Sequence, residues 1–445
     1  LNSSKNKTMT TEREQQFLEL LKNEVKPALG CTEPIAVSLA VSKASEQIKQ
    51  LGENITNVKV EVSANILKNG MGVGVPGTGM VGLHIAAALG VTCGRSEYKL
   101  EVLKDIDNSS LELAKKMVKE GNVTISLSPS SKKLYISAFA YSSNHEANVI
   151  IEDNHDNISE IYLDGKRIVQ QEKSGCDSHD NHSNTNLKGI LDYKLTLDSI
   201  YQFSLSVPFK EIEFILDSAK LNKALANEGL ENNYGLRVGK TINNGNYSEV
   251  FGNGLLSYSM ALTAAASDAR MAGSTLPAMS NSGSGNQGIT VTMPVIAFAE
   301  KLESSQESLA RALVLSHLVA IHIKGYLGKL SALCGCVIAS TGAACGIVYL
   351  KNGNFEQMGC AIKNMIGNIT GMVCDGAKVG CALKVASGVS SAVQSAMLAM
   401  DGICISENDG IIEKDIEKTI MNLGKIGSVG MEKTDQMILD IMVSK

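Results

Sequence analysis

Along residues 11–25, TEREQQFLELLKNEV, the apolar side chains Phe17, Leu18, Leu21 and Val25 recur at helical spacing, and Pro27 stops the pattern. A second helix is expected from Glu33 and Pro34, because proline suits the first turn, where its missing N–H leaves no bond unmade. Residues 55–63 switch period. Val58, Val60 and Val62 alternate with polar neighbours, which predicts a strand with one buried face. A glycine-rich loop follows, then an apolar helix near 79–90.

Residues 122–170 keep the strand period. VTISLS, LYISAFAY, ANVIIED and EIYLDGKRI are short β runs with turn residues between them, including Asp164–Gly165, and predict an antiparallel sheet. Residues 171–190 are polar and of low complexity and read as a loop. From about residue 205 helical patterns dominate. The run 289–400 is so uniformly apolar or small that its helices are expected to be buried on most faces. The expected fold class is α+β: a helix-rich domain from 1–120 and 205–445, and a β-rich insertion at 121–204 that carries the polar loop.

Composition narrows the picture. Of 445 residues, 44% are hydrophobic and 20% charged, as in a globular protein with ample core. Tryptophan is absent, while 41 glycines and 17 methionines favour small-residue helix packing over an aromatic-rich sandwich. The net charge of −5 gives no electrostatic case for nucleic acid or an anionic membrane. The stretch 331–350 has the length of a bilayer span, but Ser331, Ser340, Thr341 and three cysteines make it read as a buried helix pair. The opening stretch LNSSKNKTMTTEREQQ has no apolar core of the kind an export signal needs, so a cytoplasmic setting is expected. There, ten cysteines read as reduced thiols, metal ligands or catalytic groups, with simple packing as the plainer alternative. Association into a homo-oligomer is left open.

Two stretches match G-x-G-x-x-G: Gly72, Gly74, Gly77, and Gly283, Gly285, Gly288. Pro76 removes a backbone donor from the first, and no strand precedes the second, so neither makes a case for a dinucleotide. The stretch NSGSGNQG (281–288) suits another role. Ser282, Ser284, Asn286 and Gln287 stand just before an expected helix start at 289, where N–H groups favour a small anion such as a carboxylate. An ordinary polar turn is the equal alternative. Lys68 is a residue type that carries pyridoxal phosphate, but no phosphate cup accompanies it, and it reads as a surface lysine. Cys176, His179 and His182 fit no common zinc spacing and read as part of the solvated loop. His84 reads as a core histidine. Cys334, and Cys374 with Cys381 bracketing DGAKVG, are thiols between buried helices. Three such thiolates can hold three irons of a [4Fe–4S] cluster, against the alternative of small buried hydrophobes. With only three ligands one iron stays open and acts as a Lewis acid.

The stretches LGCTEP, KNGMGVGVPGTGMVGL, SGSGNQG, LSALCGC, TGAACGIVYL and CDGAKVGCALK together resemble the L-cysteine desulfidase family, which is related to the catalytic chain of iron–sulfur L-serine dehydratases. They run from about residue 20 to 400. The resemblance implies an oxygen-sensitive [4Fe–4S] enzyme that releases sulfide and ammonia from L-cysteine and leaves pyruvate. It implies Cys334, Cys374 and Cys381 as cluster ligands, with Cys336 a rival for the first position, and Cys31 as the catalytic base. Cys31 stands just before a helix start, where a thiolate is expected to be favoured. The SGSGNQG loop would hold the carboxylate of the amino-acid substrate, with Asn65 and Lys68 lining the same pocket. L-serine dehydratase, with hydroxide leaving, stays open. So does a non-catalytic iron–sulfur redox or sensor protein, which would need four protein ligands and no Cys31.

Overall fold

The first amphipathic stretch forms the helix Thr11–Glu24, capped by Thr10, whose side chain accepts from the Arg13 N–H. Its stripe of Phe17, Leu18, Leu20 and Leu21 is buried, and Phe17 stacks on Phe203 with ring centroids 4.8 Å apart. This computed structural model describes residues 9–28, 30–132, 134–170, 190–328 and 331–444. Cys176, His179 and His182, and most of the expected loop 171–190, lie outside them.

After Thr11–Glu24 the chain pairs Pro27–Ala28 antiparallel with Ala278–Met279. Ser280 N–H donates to Lys26 O (2.8 Å) and Ser282 N–H to Glu24 O (2.9 Å). That short ladder sets the LGCTEP segment beside the SGSGNQG segment. The second helix, Thr32–Lys49, has Cys31 at its N-cap and Pro34 in its first turn.

A six-stranded sheet follows from β1 (Asn57–Val62), β2 (Val123–Leu127), β3 (Tyr135–Tyr141), β4 (Glu146–Glu152), β5 (Ile158–Leu163) and β6 (Lys166–Gln170), in the order β2-β1-β3-β4-β5-β6. Val58, Val60 and Val62 face inward as the alternation predicts, in register with Ala140, Ala138 and Ile136. The sheet differs from the expected antiparallel one in that β1 joins it between β2 and β3 and pairs with β2 in parallel. Helices between 64 and 119 carry the chain back over the sheet, so β2 starts in the same direction as β1. Asp164 and Gly165 both take positive φ (48° and 72°) and make the predicted tight turn between β5 and β6. The apolar helix expected near 79–90 forms at Leu83–Thr92, because Gly77, Gly79 and Gly82 hold the preceding residues in a loop. It lies against Thr32–Lys49, where the Ser38 hydroxyl donates to Ala86 O at 2.7 Å.

The α+β class is borne out. Its buried apolar side chains form two large clusters, one drawn from residues 35–161 and one from 17–25 with 193–423. The second is built on Gly285–Lys301, Gln306–Leu327, Gly335–Leu350 and Cys381–Met400. The stretch 331–350 gives one helix, Gly335–Leu350, after a short loop, where a helix pair was expected. Among the described residues no helix is long and apolar enough to cross a membrane.

Candidate active site

Two loops carry the late cysteines, and backbone hydrogen bonds zip them together. Cys334 N–H donates to Met372 O (2.9 Å), Cys374 N–H donates to Ala332 O (2.6 Å), and Leu333 bridges Val373. Cys334 then caps Gly335–Leu350, and Cys381 opens Cys381–Met400. Between Cys374 and Cys381 the chain is held from three sides. Lys384 donates to Val373 O at 2.8 Å, and both Lys378 and Lys384 pair with Asp375. Burial pushes the Asp375 carboxyl up, but the bonds and charges of the two lysines outweigh it and bring it to about 2. Gly376 takes φ +89° and lies flush on Lys68 O, which a Cβ there would meet at 2.1 Å.

The three thiols are electrostatic neighbours. Cys374 responds to Cys334, and Cys381 to both. Burial raises Cys374 and Cys381, while the Lys384 charge opposes it. The Cys336 thiol beside Cys334 favours the Cys334 thiolate and lowers its pKa, and the same bond, with burial, raises Cys336. The Cys336 Sγ also lies 3.1 Å from Lys384 O, a second acceptor for the same S–H. Among the described residues no three His, Cys, Asp or Glu side chains converge on one metal ion. A [4Fe–4S] cluster asks for something else: soft thiolates spread over separate irons. Three neighbouring thiols, two of them on loops zipped together, with lysine charge beside them, fit that demand.

Cys31 reaches this region from the other end of the chain. It is buried against Val73, Met271, Ala377, Val379 and Cys381. The expectation of a favoured thiolate is overturned. Burial, helped by the charges of Glu33 and Cys381, pushes the Cys31 thiol up to about 11, more than the neighbouring Arg270 draws it down.

In the SGSGNQG segment, Asn281 and Ser284 exchange backbone bonds of 3.1 and 3.0 Å across Ser282 (φ 49°) and Gly283 (φ 77°), a tight turn. The helix begins at Gly285, earlier than the expected 289, because the Ser284 side chain caps it by accepting from Gln287 N–H (3.3 Å). The Gln287 amide donates to Asn281 Oδ1 at 2.6 Å, and the Ser282 hydroxyl donates to the same oxygen at 3.1 Å. Asn281 in turn donates to Nδ1 of the buried His317 (3.0 Å). Burial takes His317 down to about 3, so it is neutral and accepts. Ser284 and Gln287 thus serve the loop itself. Gln287 also abuts the cysteine loop: a Cβ on Gly335 would sit 3.2 Å from its Oε1. Asn286 is half-buried and accepts from Arg270 Nη1 at 3.5 Å.

Lys68 is buried and ion-paired with Asp435 at 2.5 Å, not the surface lysine that its sequence context suggests. Asn65, half-buried, lies one turn earlier on the same helix, Ala64–Gly70. His84 is exposed, not a core residue. The glycines of 72–77 serve as a brace. Gly72 bridges Lys378, and Gly74 lies so close to Ala272 and Gly273 that a Cβ would fall 2.4 Å from the Ala272 carbonyl carbon. An open cavity of about 530 Å³ lined by Lys43, Glu46, Arg95 and Lys99 shares no residue with this region.

Sequence reasoning missed Arg270, Asn281, His317, Asp375 and Lys384. A signal existed for Arg270: with Asp268 it is one of two charges in the small-residue helix Leu255–Met271.

A family model described as serine dehydratase alpha chain matches residues 97–440. A UPF0597 protein of Oleidesulfovibrio alaskensis is 49% identical over 97% of this chain and 98% of its own. UPF0597 proteins of Phocaeicola vulgatus (48%, over 98% of each chain) and Bacteroides thetaiotaomicron (47%, over 98% of this chain and 99% of its own) are similarly close.

Proposed function

The chain belongs to the serine dehydratase alpha chain family, which carries a lyase-type function, and from that premise we propose a [4Fe–4S]-dependent β-eliminating lyase that converts L-cysteine to pyruvate, ammonia and hydrogen sulfide. The observation that carries the reading is the meeting of three cysteine positions with a fourth, distant one: the loops of Cys334 and Cys374 are zipped together, and Cys31 packs against Cys381.

In this reading Cys334, Cys374 and Cys381 hold the cluster. Cys334 is preferred to Cys336 because it stands in the loop zipped to that of Cys374, whereas Cys336 lies inside the helix Gly335–Leu350. The bound cluster, with one iron free of protein ligands, would supply a Lewis acid for the sulfur that leaves. Lys384 and Lys68 offset the negative charge of the thiolates. Cys31 takes the proton from the substrate α-carbon, and the electron pair left there forms a double bond as the Cβ–S bond breaks. The products are 2-aminoacrylate and sulfide. The 2-aminoacrylate tautomerises to an imine, which water hydrolyses to pyruvate and ammonia. Cys31 acts only after losing its own proton, and the Arg270 charge beside it favours that loss. The first turn of Gly285–Lys301 holds the carboxylate, with Ser282 and Asn286 beside it, and Asn65 and Lys68 are assigned to the same pocket.

Every one of these residues lies in 1–120 or 205–445, the parts read as the catalytic domain, with 121–204 as the β-rich insertion. Reduced thiols suit a cytoplasmic setting. A second reading, L-serine dehydratase, is favoured by the description of the matching family. It uses the same residues with hydroxide leaving. Cysteine is preferred because a thiolate is the softer iron ligand and the better leaving group. Anaerobic protein with iron and sulfide restored, offered each amino acid, decides between them. L-cysteine is expected to give sulfide and pyruvate in equal amounts, with L-serine much poorer. Rapid turnover of serine with none of cysteine would establish the dehydratase reading.

A further inference from the structure

Arg270 is a buried charge with no carboxylate paired to it among the described residues, and the acid beside it is the Cys31 thiol, which burial keeps protonated. Only 7% of the residue is exposed, and among the described residues its guanidinium forms no ion pair. Its Nη2 donates to Gly30 O at 2.9 Å, its Nη1 reaches Asn286 Oδ1 at 3.5 Å, the Cys31 thiol lies within hydrogen-bonding reach, and among the described residues its Nε is buried with no partner. Asp268, two residues earlier, does not neutralise it. That carboxylate accepts from the Gly239 N–H at 3.0 Å and from neighbouring amides of 236–238. A guanidinium removed from water without a counter-ion is unfavourable, so the place calls for an anion.

The surroundings say where such an anion would sit. Gly285, the first residue of Gly285–Lys301, lies directly on the guanidinium, since a Cβ there would fall 2.1 Å from Arg270 Nε. The positive end of a 17-residue helix and a buried arginine therefore converge on one spot. The spot adjoins Cys31, which follows the Gly30 carbonyl that Arg270 holds and which lies within reach of the guanidinium.

We propose that Arg270, with the first turn of this helix, binds the carboxylate of the substrate and restricts it to amino acids whose α-carboxylate is free. The proposal rests on the β-elimination reading above. It adds the group that fixes the substrate's orientation: a carboxylate held at Arg270 presents the adjoining α-carbon toward Cys31. The same positive charge stabilises the negative charge that spreads onto the carboxylate as the α-proton leaves.

The test is equilibrium binding by calorimetry to the anaerobic full-length protein. The probes are L-alanine, which has no leaving group, and L-alaninamide, which lacks the carboxylate. Wild type is expected to bind the acid at least about tenfold more tightly than the amide. Arg270→Gln is expected to lose about tenfold to a hundredfold in L-alanine affinity, the range of a charge-assisted hydrogen bond, and Arg270→Lys to fall between. Equal binding of acid and amide by wild type overturns the proposal and needs no variant, so a poorly folded Arg270→Gln does not shelter it. Unchanged L-alanine binding in Arg270→Gln with slower turnover also overturns it, and assigns Arg270 to Cys31 instead. Arg270-dependent binding in a protein that releases neither sulfide nor pyruvate would leave this proposal standing and end the elimination reading.

Discussion

Gly376→Ala tests how the Cys374–Cys381 loop is held. Gly376 has φ +89°, where a Cβ strains the backbone by about 1–2 kcal/mol. The new Cβ would also fall 2.1 Å from Lys68 O and 3.0 Å from the Lys68 carbonyl carbon. Both are backbone atoms of the helix Ala64–Gly70, and the Lys68 side chain is anchored on Asp435, so neither gives way easily. Relieving such a clash adds about 1–3 kcal/mol. The combined loss of about 2–5 kcal/mol is read by urea unfolding of anaerobic protein. Because the loop must move away from Lys68 and carries Cys374 and Cys381 with it, iron retained after reconstitution should fall as well. Gly371→Ala is the control: among the described residues nothing lies within 4 Å of its added Cβ, and it should change stability by no more than about 0.5 kcal/mol. Gly376→Ala with wild-type stability and full iron would refute the reasoning.

Burial lowers His317 from 6.5 to about 3, so between those values the unfolded chain binds a proton that the folded chain refuses. The stability that neutral His317 contributes is therefore fully present above pH 6.5 and declines as pH falls, by about 2 kcal/mol between pH 7 and pH 5. His317→Gln should flatten that slope in urea unfolding at the two pH values, and an unchanged slope counts against it. Asp435→Ala leaves Lys68 buried without its partner, and Asp435 itself is partly exposed, so a loss of about 1–3 kcal/mol is expected. Limited proteolysis should then release the helix Glu432–Val443 faster than in wild type. Cys334→Ala, Cys374→Ala and Cys381→Ala should each lose iron, while Cys336→Ala keeps it, as elemental analysis of anaerobic protein will show. Cys31→Ala should keep its iron and lose turnover by about two to four orders of magnitude, the contribution of a positioned general base.

Elements governed by local pattern were legible. The helix Thr11–Glu24 follows from its apolar spacing, and the inward valines of β1 from their alternation. The parallel pairing of β1 with β2 was not, because the two strands meet only after helices between 64 and 119 carry the chain back. At the site, the cysteine motifs stood out by residue type alone. Their assembly did not, since the zipper of 332–334 with 372–374 uses backbone groups that leave no trace in side-chain identity. The acidity expected of Cys31 from its place before a helix failed for a related reason. Val73, Met271 and Ala377 come from three other parts of the chain, and the burial they impose raises the thiol more than Arg270 lowers it. Arg270 was visible as a charge in a small-residue helix, but its pairing with Gly30 and Asn286 is a long-range contact.

The central claim is that three thiolates hold a cluster whose remaining iron is open to substrate. Mössbauer spectroscopy of anaerobic protein reconstituted with ⁵⁷Fe addresses it directly. One iron in four should differ from the rest and shift when L-cysteine is added to Cys31→Ala, which binds substrate without turning it over. Four equivalent irons indifferent to L-cysteine would mean a closed cluster with a fourth protein ligand, and would contradict the account.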